Sequence, residues 1–210
     1  HLSEIGINKD KMKVVTNGID ENLFKPGNKD NWVREKFNLN DKFIVMYAGN
    51  IGSAQGLEFV VETAKNTQKK DIVYMLIGSG VRKVHIKKLA NRKNIDNIFF
   101  IGNQPKEDIV DFLSASDALL ISLKDKPLFD VTIPSKVFDY MAMGRPILIG
   151  VKGEARSIVE KANAGLYFTP ESSEELRSQI LKLYNNDKIR NQMAQNARDY
   201  AVHNFSRKKL

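Results

Sequence analysis

Six short apolar runs punctuate the chain, at residues 43–48, 72–77, 98–101, 118–123, 146–150 and 166–168. Most are continuous rather than alternating, the pattern of strands buried on both faces of a parallel sheet. Helical stripes lie between them. Leu57, Val60, Val61 and Ala64 follow the i, i+3, i+4, i+7 spacing of one buried face. Ile109, Phe112 and Leu113 repeat it, and so do Leu176, Ile180, Leu183 and Tyr184 after a Ser172-x-x-Glu175 capping box. Gly144 and Pro146 stop the helical segment 135–143, and residues 187–205 read as a terminal helix. Strand and helix in alternation predict an α/β, doubly wound, Rossmann-like parallel sheet of about six strands with helices on both faces. Residues 1–26 read as a leading linker and 27–210 as one domain.

In such sheets ligands bind beyond the carboxyl ends of the strands, where the strand order reverses. The loops at 49–55, 78–82, 102–105, 124–134 and 150–154 are therefore the ones to search. Gly49-Asn50-Ile51-Gly52 follows the first long strand, and Ile77-Gly78-Ser79-Gly80, with Arg82 and Lys83, follows the second. Glycines there let a phosphate approach the backbone, and they serve equally in a plain strand-to-helix turn. Their spacing is not that of the dinucleotide fingerprint. Pro134-Ser135-Lys136 opens a helix and leaves the amides of Ser135, Lys136 and Val137 as donors beside the Lys136 ammonium. Asp139, one turn on, suits the vicinal hydroxyls of a ribose or, as well, the dipole of the first helical turn.

Composition narrows the chemistry. The absence of cysteine excludes disulfides and thiol nucleophiles. No serine stands in a nucleophile elbow, and the three histidines lack metal-ligand spacing. The net charge of +8 suits a nucleotide phosphate or an anionic surface, and equally a set of lysines that solvate helix faces. No basic run is interleaved with stacking aromatics, which argues against nucleic acid. No secretory signal or membrane-spanning run is present, so the expected location is cytoplasmic.

In order along the chain, several blocks resemble the C-terminal domain of family four of the retaining, GT-B-type glycosyltransferases. They are Val14-Val15-Thr16-Asn17-Gly18-Ile19-Asp20 with Phe24 and Pro26, Tyr47-Ala48-Gly49-Asn50 with Gln55-Gly56-Leu57, and Ile77-Gly78-Ser79-Gly80. Phe100-Ile101-Gly102, Ser116-Asp117-Ala118 and Phe138-Asp139-Tyr140-Met141-Ala142-Met143-Gly144-Arg145-Pro146 complete the set. The resemblance implies one half of a GT-B fold, a nucleotide-sugar donor such as a UDP-sugar, retention of configuration, and no metal or other cofactor. It implies Lys136 and Asp139 as the catalytic-site pair, with phosphate held by Lys136, the amides of Ser135 and Val137, and Arg82. Asp139 would hold the ribose and backbone near Ile101 and Gly102 the base, while Gly49, Asn50, Gly52, Gln55 and Gly80 would contact phosphate or sugar. It also implies a partner N-terminal domain that binds the acceptor and is absent from this chain, which is expected to be inactive alone.

Three departures from the family pattern stand out. Asn50 and Gln55 occupy the positions of a basic pair, Val131 that of the first of two acids, and Pro134 that of a glycine. With Ile133-Pro134-Ser135-Lys136 this variant is similar to a subgroup that builds bacterial surface polysaccharide, O-antigen or capsule, N-acetyl-fucosamine transferases among them. That subgroup implies a lipid-linked acceptor at the inner face of the membrane. The same departures fit a non-catalytic nucleotide-binding module. A sugar-nucleotide epimerase shares the architecture but would need an acid or histidine beside the sugar that these loops lack.

Overall fold

A computed structural model describes residues 3–12, 17–68 and 70–208. Its centre is a parallel sheet of six strands: β1 (Phe43–Ala48), β2 (Ile72–Ile77), β3 (Ile98–Ile101), β4 (Ala118–Ser122), β5 (Ile147–Gly150) and β6 (Gly165–Tyr167). The spatial order is β3-β2-β1-β4-β5-β6, with Phe43 opposite Ile72 at one junction and Leu119 opposite Ile147 at another. The order reverses between β1 and β4.

The continuous apolar runs are explained by two cores. In β1, Ile44, Met46 and Ala48 feed one, whereas Phe43, Val45 and Tyr47 feed the other. The first core is closed by helices α1 (Trp32–Lys36), α4 (Lys106–Ala115), α6 (Lys136–Ala142), α7 (Gly153–Lys161) and α9 (Asp187–Phe205). The second is closed by α2 (Glu58–Lys65), α3 (Lys83–Arg92) and α8 (Ser173–Tyr184). A one-turn helix, α5 (Pro127–Asp130), lies in the loop after β4.

Capping fixes several boundaries. The Ser172 hydroxyl accepts from the amide of Glu175, which is the first half of the expected capping box. The Glu175 carboxylate reaches the Thr169 amide, at 2.7 Å, and so ties β6 to α8 instead of closing the box. Helices α1, α5 and α7 were not legible in the apolar periodicity. Two of them are only a turn or so long, and α7 buries just Ala155, Ile158 and Val159.

Where it is described, the leading segment packs against the domain. Ile19 is buried, its amide donates to Phe205 O, and its carbonyl accepts from the Arg207 amide. Arg198 of α9 donates to the carbonyls of Glu21, Phe24 and Ala142, so one guanidinium joins this segment to the end of α6. Of the first motif block, Val14, Val15 and Thr16 lie outside the described residues.

Candidate functional site

A cavity of about 280 Å³ opens beyond the carboxyl ends of β1 and β2, next to the reversal in strand order. Ala48, Gly49, Ile77 and Gly78 form its floor, Ile109 and Leu113 of α4 one wall, and Lys136, Asp139 and Tyr140 of α6 another. Phe24, Asn103 and Gln104 complete the rim. Among the described residues, Lys136 and Asp139 are the only charged ones in this lining. A larger hollow of about 720 Å³ runs between the end of α7 and α9. It is broad and open and touches no glycine loop at the strand ends, so the smaller cavity is the better site.

The position of Lys136 follows from its neighbours. Tyr140 is buried, and its hydroxyl donates to Ala48 O at 3.0 Å and accepts from Ala48 N at 2.8 Å. That pair of bonds locks α6 to the last residue of β1 and sets Lys136 one turn above it. The lysine side chain then crosses the end of β1 at Gly49. A Cβ on Gly49 would lie 2.6 Å from both Cε and Nζ of Lys136. The ammonium rests 5.3 Å from the centre of the Tyr47 ring, and the Tyr47 hydroxyl donates to Asn50 O at 2.6 Å.

Both charged groups are poised away from their ordinary titration. Burial lowers the Lys136 pKa despite the opposing pull of Asp139. Burial raises the Asp139 pKa, although Arg207, Lys106 and Lys136 all pull it down. Lys136 and Asp139 form no ion pair among the described residues, so each presents its charge to the cavity. Of the three cations, only Lys136 lines the cavity; Arg207 and Lys106 act on the carboxyl from outside it. Arg207 and Lys106 were missed in the sequence, because they lie on other elements far along the chain; Lys106 also sits 6.0 Å over the Phe24 ring.

The remaining expected residues divide. The Val137 amide donates to Pro134 O, so it is spent inside the turn and corrects the expectation of an open donor there. The amides of Ser135 and Lys136 draw no hydrogen bond among the described residues. Gln55 closes its own loop: its Oε1 accepts from the Gly52 amide at 3.1 Å. Arg82 is held by Glu58 through both Nε and Nη2, each at 2.7 Å from Oε1, and does not line the cavity. Burial alone would raise the Glu58 pKa, but its backbone bond and Arg82 bring it below the ordinary value. Asn50 is exposed above the loop. The Ile101 carbonyl accepts from Gly78 N and from Lys83 Nζ, and the Gly102 carbonyl from Gln104 Nε2. Ile101 and Gly102 do not line the cavity themselves, whereas the next two residues, Asn103 and Gln104, do.

Glycine is required in the two loops chiefly by the packing of one loop on the other. Gly78 has φ +130°, and a Cβ there would overlap the carbonyl oxygen of Gly49. Gly80, at φ +151°, meets the Ile51 carbonyl in the same way. The β1–β2 ladder continues through them, with Gly49 N donating to Ile77 O and Ile51 N to Ser79 O.

The chain is similar to known proteins in both sequence and shape. It is 31% identical over 113 residues to the putative colanic acid biosynthesis glycosyl transferase WcaI of Escherichia coli K12, covering 53% of this chain and 28% of that protein. The crystal structure of Anabaena Alr3699/HepE in complex with UDP superposes with a TM-score of 0.83 at 20% identity, over 97% of this chain and 56% of that one. HepE has also been crystallised with UDP-glucose. The C-terminal domain of the group 1 glycosyl transferase LpcC of Francisella tularensis superposes with a TM-score of 0.74 at 20% identity, over 90% of this chain and 100% of that domain. The chain thus spans 28% of WcaI and about half of HepE. Residues 28–200 match the family described as Glycosyl transferases group 1, and the chain belongs to that family.

Proposed function

We propose that this chain is the donor-binding half of a retaining glycosyltransferase that takes a UDP-sugar. The observation that carries the reading is the cavity beyond β1 and β2, whose charged lining among the described residues is Lys136 and Asp139, neither of them in an ion pair there. Lys136 binds the diphosphate and stabilises the charge that develops on it as the sugar departs, with the Ser135 and Lys136 amides as added donors. Asp139 accepts from the ribose hydroxyls. Asn103 and Gln104 frame the base over the apolar wall of Ile109 and Leu113. A fixed ammonium performs the task that a divalent cation performs elsewhere, so the reading needs no metal. The nucleotide complexes of HepE support the choice of a uridine nucleotide. The name of WcaI, which assigns that protein to colanic acid biosynthesis, supports a role in bacterial polysaccharide synthesis.

One observation favours a non-catalytic nucleotide module instead. Val131, where the first family acid is expected, is 80% exposed and brings no carboxylate to the site. Titration calorimetry with UDP, followed by mass spectrometry of UDP-sugar and acceptor mixtures, separates the two readings. The transferase reading predicts UDP binding by this chain, and donor-dependent product only when an acceptor-binding domain is supplied. No heat with UDP at millimolar concentration contradicts both, and binding without product in a two-domain protein supports the module.

A further inference from the structure

Residues 81–95 contain six lysines and arginines, one histidine and no acid. Ile86 and Ala90 turn into the second core, which fixes how α3 lies on the domain. The opposite face then carries Val84, Lys88 and Arg92 in a row at i, i+4, i+8, flanked by Val81, His85 and Lys87. All six of these residues are exposed, Val81 by 83% and Val84 by 65%. Two cations at the flanks are neutralised, Arg82 by Glu58 and Lys93 by Glu62. Lys83 turns inward to the carbonyls of Gly78 and Ile101. Lys87, Lys88 and Arg92 form no ion pair among the described residues. The nearest acid along the chain, Asp96, lies beyond the helix and accepts from the Gln68 side chain.

We infer that this face of α3 docks on an anionic lipid surface. Three uncompensated cations on the exposed side of one helix match a layer of lipid phosphates, and the two valines at one end are placed to enter its apolar margin. A nucleic acid would leave the valines in water, and residues 81–95 offer no aromatic ring on which a base could stack. Val81 directly follows Gly80, which packs on Ile51 of the first glycine loop. The docked surface would therefore lie beside the loops that border the cavity, within reach of a lipid-borne acceptor.

The test is sedimentation of the 210-residue chain with vesicles of phosphatidylglycerol and phosphatidylcholine, against phosphatidylcholine alone. Binding to the anionic vesicles only is expected, falling as salt rises. Lys87→Gln/Lys88→Gln/Arg92→Gln should lose roughly fivefold per cation, or about a hundredfold together. Val81→Ser/Val84→Ser, which leaves every charge in place, should also weaken binding. Circular dichroism and UDP affinity should be unchanged in both variants, since none of the five residues lines the cavity. The inference is overturned if the chain ignores anionic vesicles, or if the glutamine variant pellets like the parent. It is equally overturned if the valine variant is indifferent while polyuridylate binds the parent as tightly as the vesicles do.

Discussion

Lys136 and Asp139 stand one helical turn apart in the same cavity, and burial disfavours the charge on each. Groups held in this state are costly to the fold and useful to a ligand. The sign for Asp139 follows from its raised pKa: a carboxyl harder to ionise folded than unfolded favours folding when protonated, and that contribution is lost as pH rises through the folded value. Asp139→Asn should therefore melt higher than the parent at neutral pH, with the gain closing below the ordinary carboxylate pKa of about 4. Thermal scans across that range check it, and a gain that grows in acid would be the wrong sign. For the ligand, Lys136→Ala should weaken UDP by about ten- to a hundredfold, the worth of a charge-assisted contact, and leave uridine nearly unchanged. Arg82→Ala should do less, because Arg82 is already tied to Glu58. Titration calorimetry with both ligands measures the order. Lys136 and Asp139 were legible because a proline-started helix advertises them. Tyr140, Lys106 and Arg207 were not, since each acts from a distance that no local pattern encodes.

At the scale of elements, the strands were legible almost to the residue because both of their faces are buried. The glycine loops were legible as places but not as mechanisms. Their glycines suit ligand approach or a plain turn, and the packing of loop against loop is a third cause. Gly78→Ala should cost roughly 2–4 kcal/mol, from backbone strain and overlap with Gly49 O. Gly102→Ala is the control: a Cβ there meets nothing within 4 Å, and stability should hardly move. Chemical denaturation of the pair reads the difference, and equal losses would mean that loop packing is not what demands glycine. Gly49 differs from both, because the atoms nearest its missing Cβ belong to Lys136, so this glycine serves the site directly.

Across the whole molecule, the site end of the sheet is balanced by a buried clamp at the other end. Asp117, read in the sequence as part of a family block, accepts from Arg34 Nη2 at 2.7 Å and from the Ile44 amide at 2.9 Å. Arg34 is 1% exposed and also donates to the carbonyls of Ala115, Leu39, Asn40 and Lys42. The pair pins the chain before β1 to the starts of β1 and β4. Asp117→Ala would leave that guanidinium buried without its counter-charge, at a cost of about 3–5 kcal/mol by denaturant titration. UDP affinity of the fraction that remains folded should stay at the parental value, whereas a large change would show that the two ends of the sheet are coupled. The central claim, that the cavity beyond β1 and β2 holds a uridine nucleotide, is tested most directly by a crystal structure of this chain with UDP. Diphosphate oxygens are expected within about 3.5 Å of Lys136 Nζ, with the ribose at Asp139 and the base against Asn103 and Gln104. Nucleotide found beside Arg82 and Glu58, or nowhere in the cavity at saturating UDP, would contradict it.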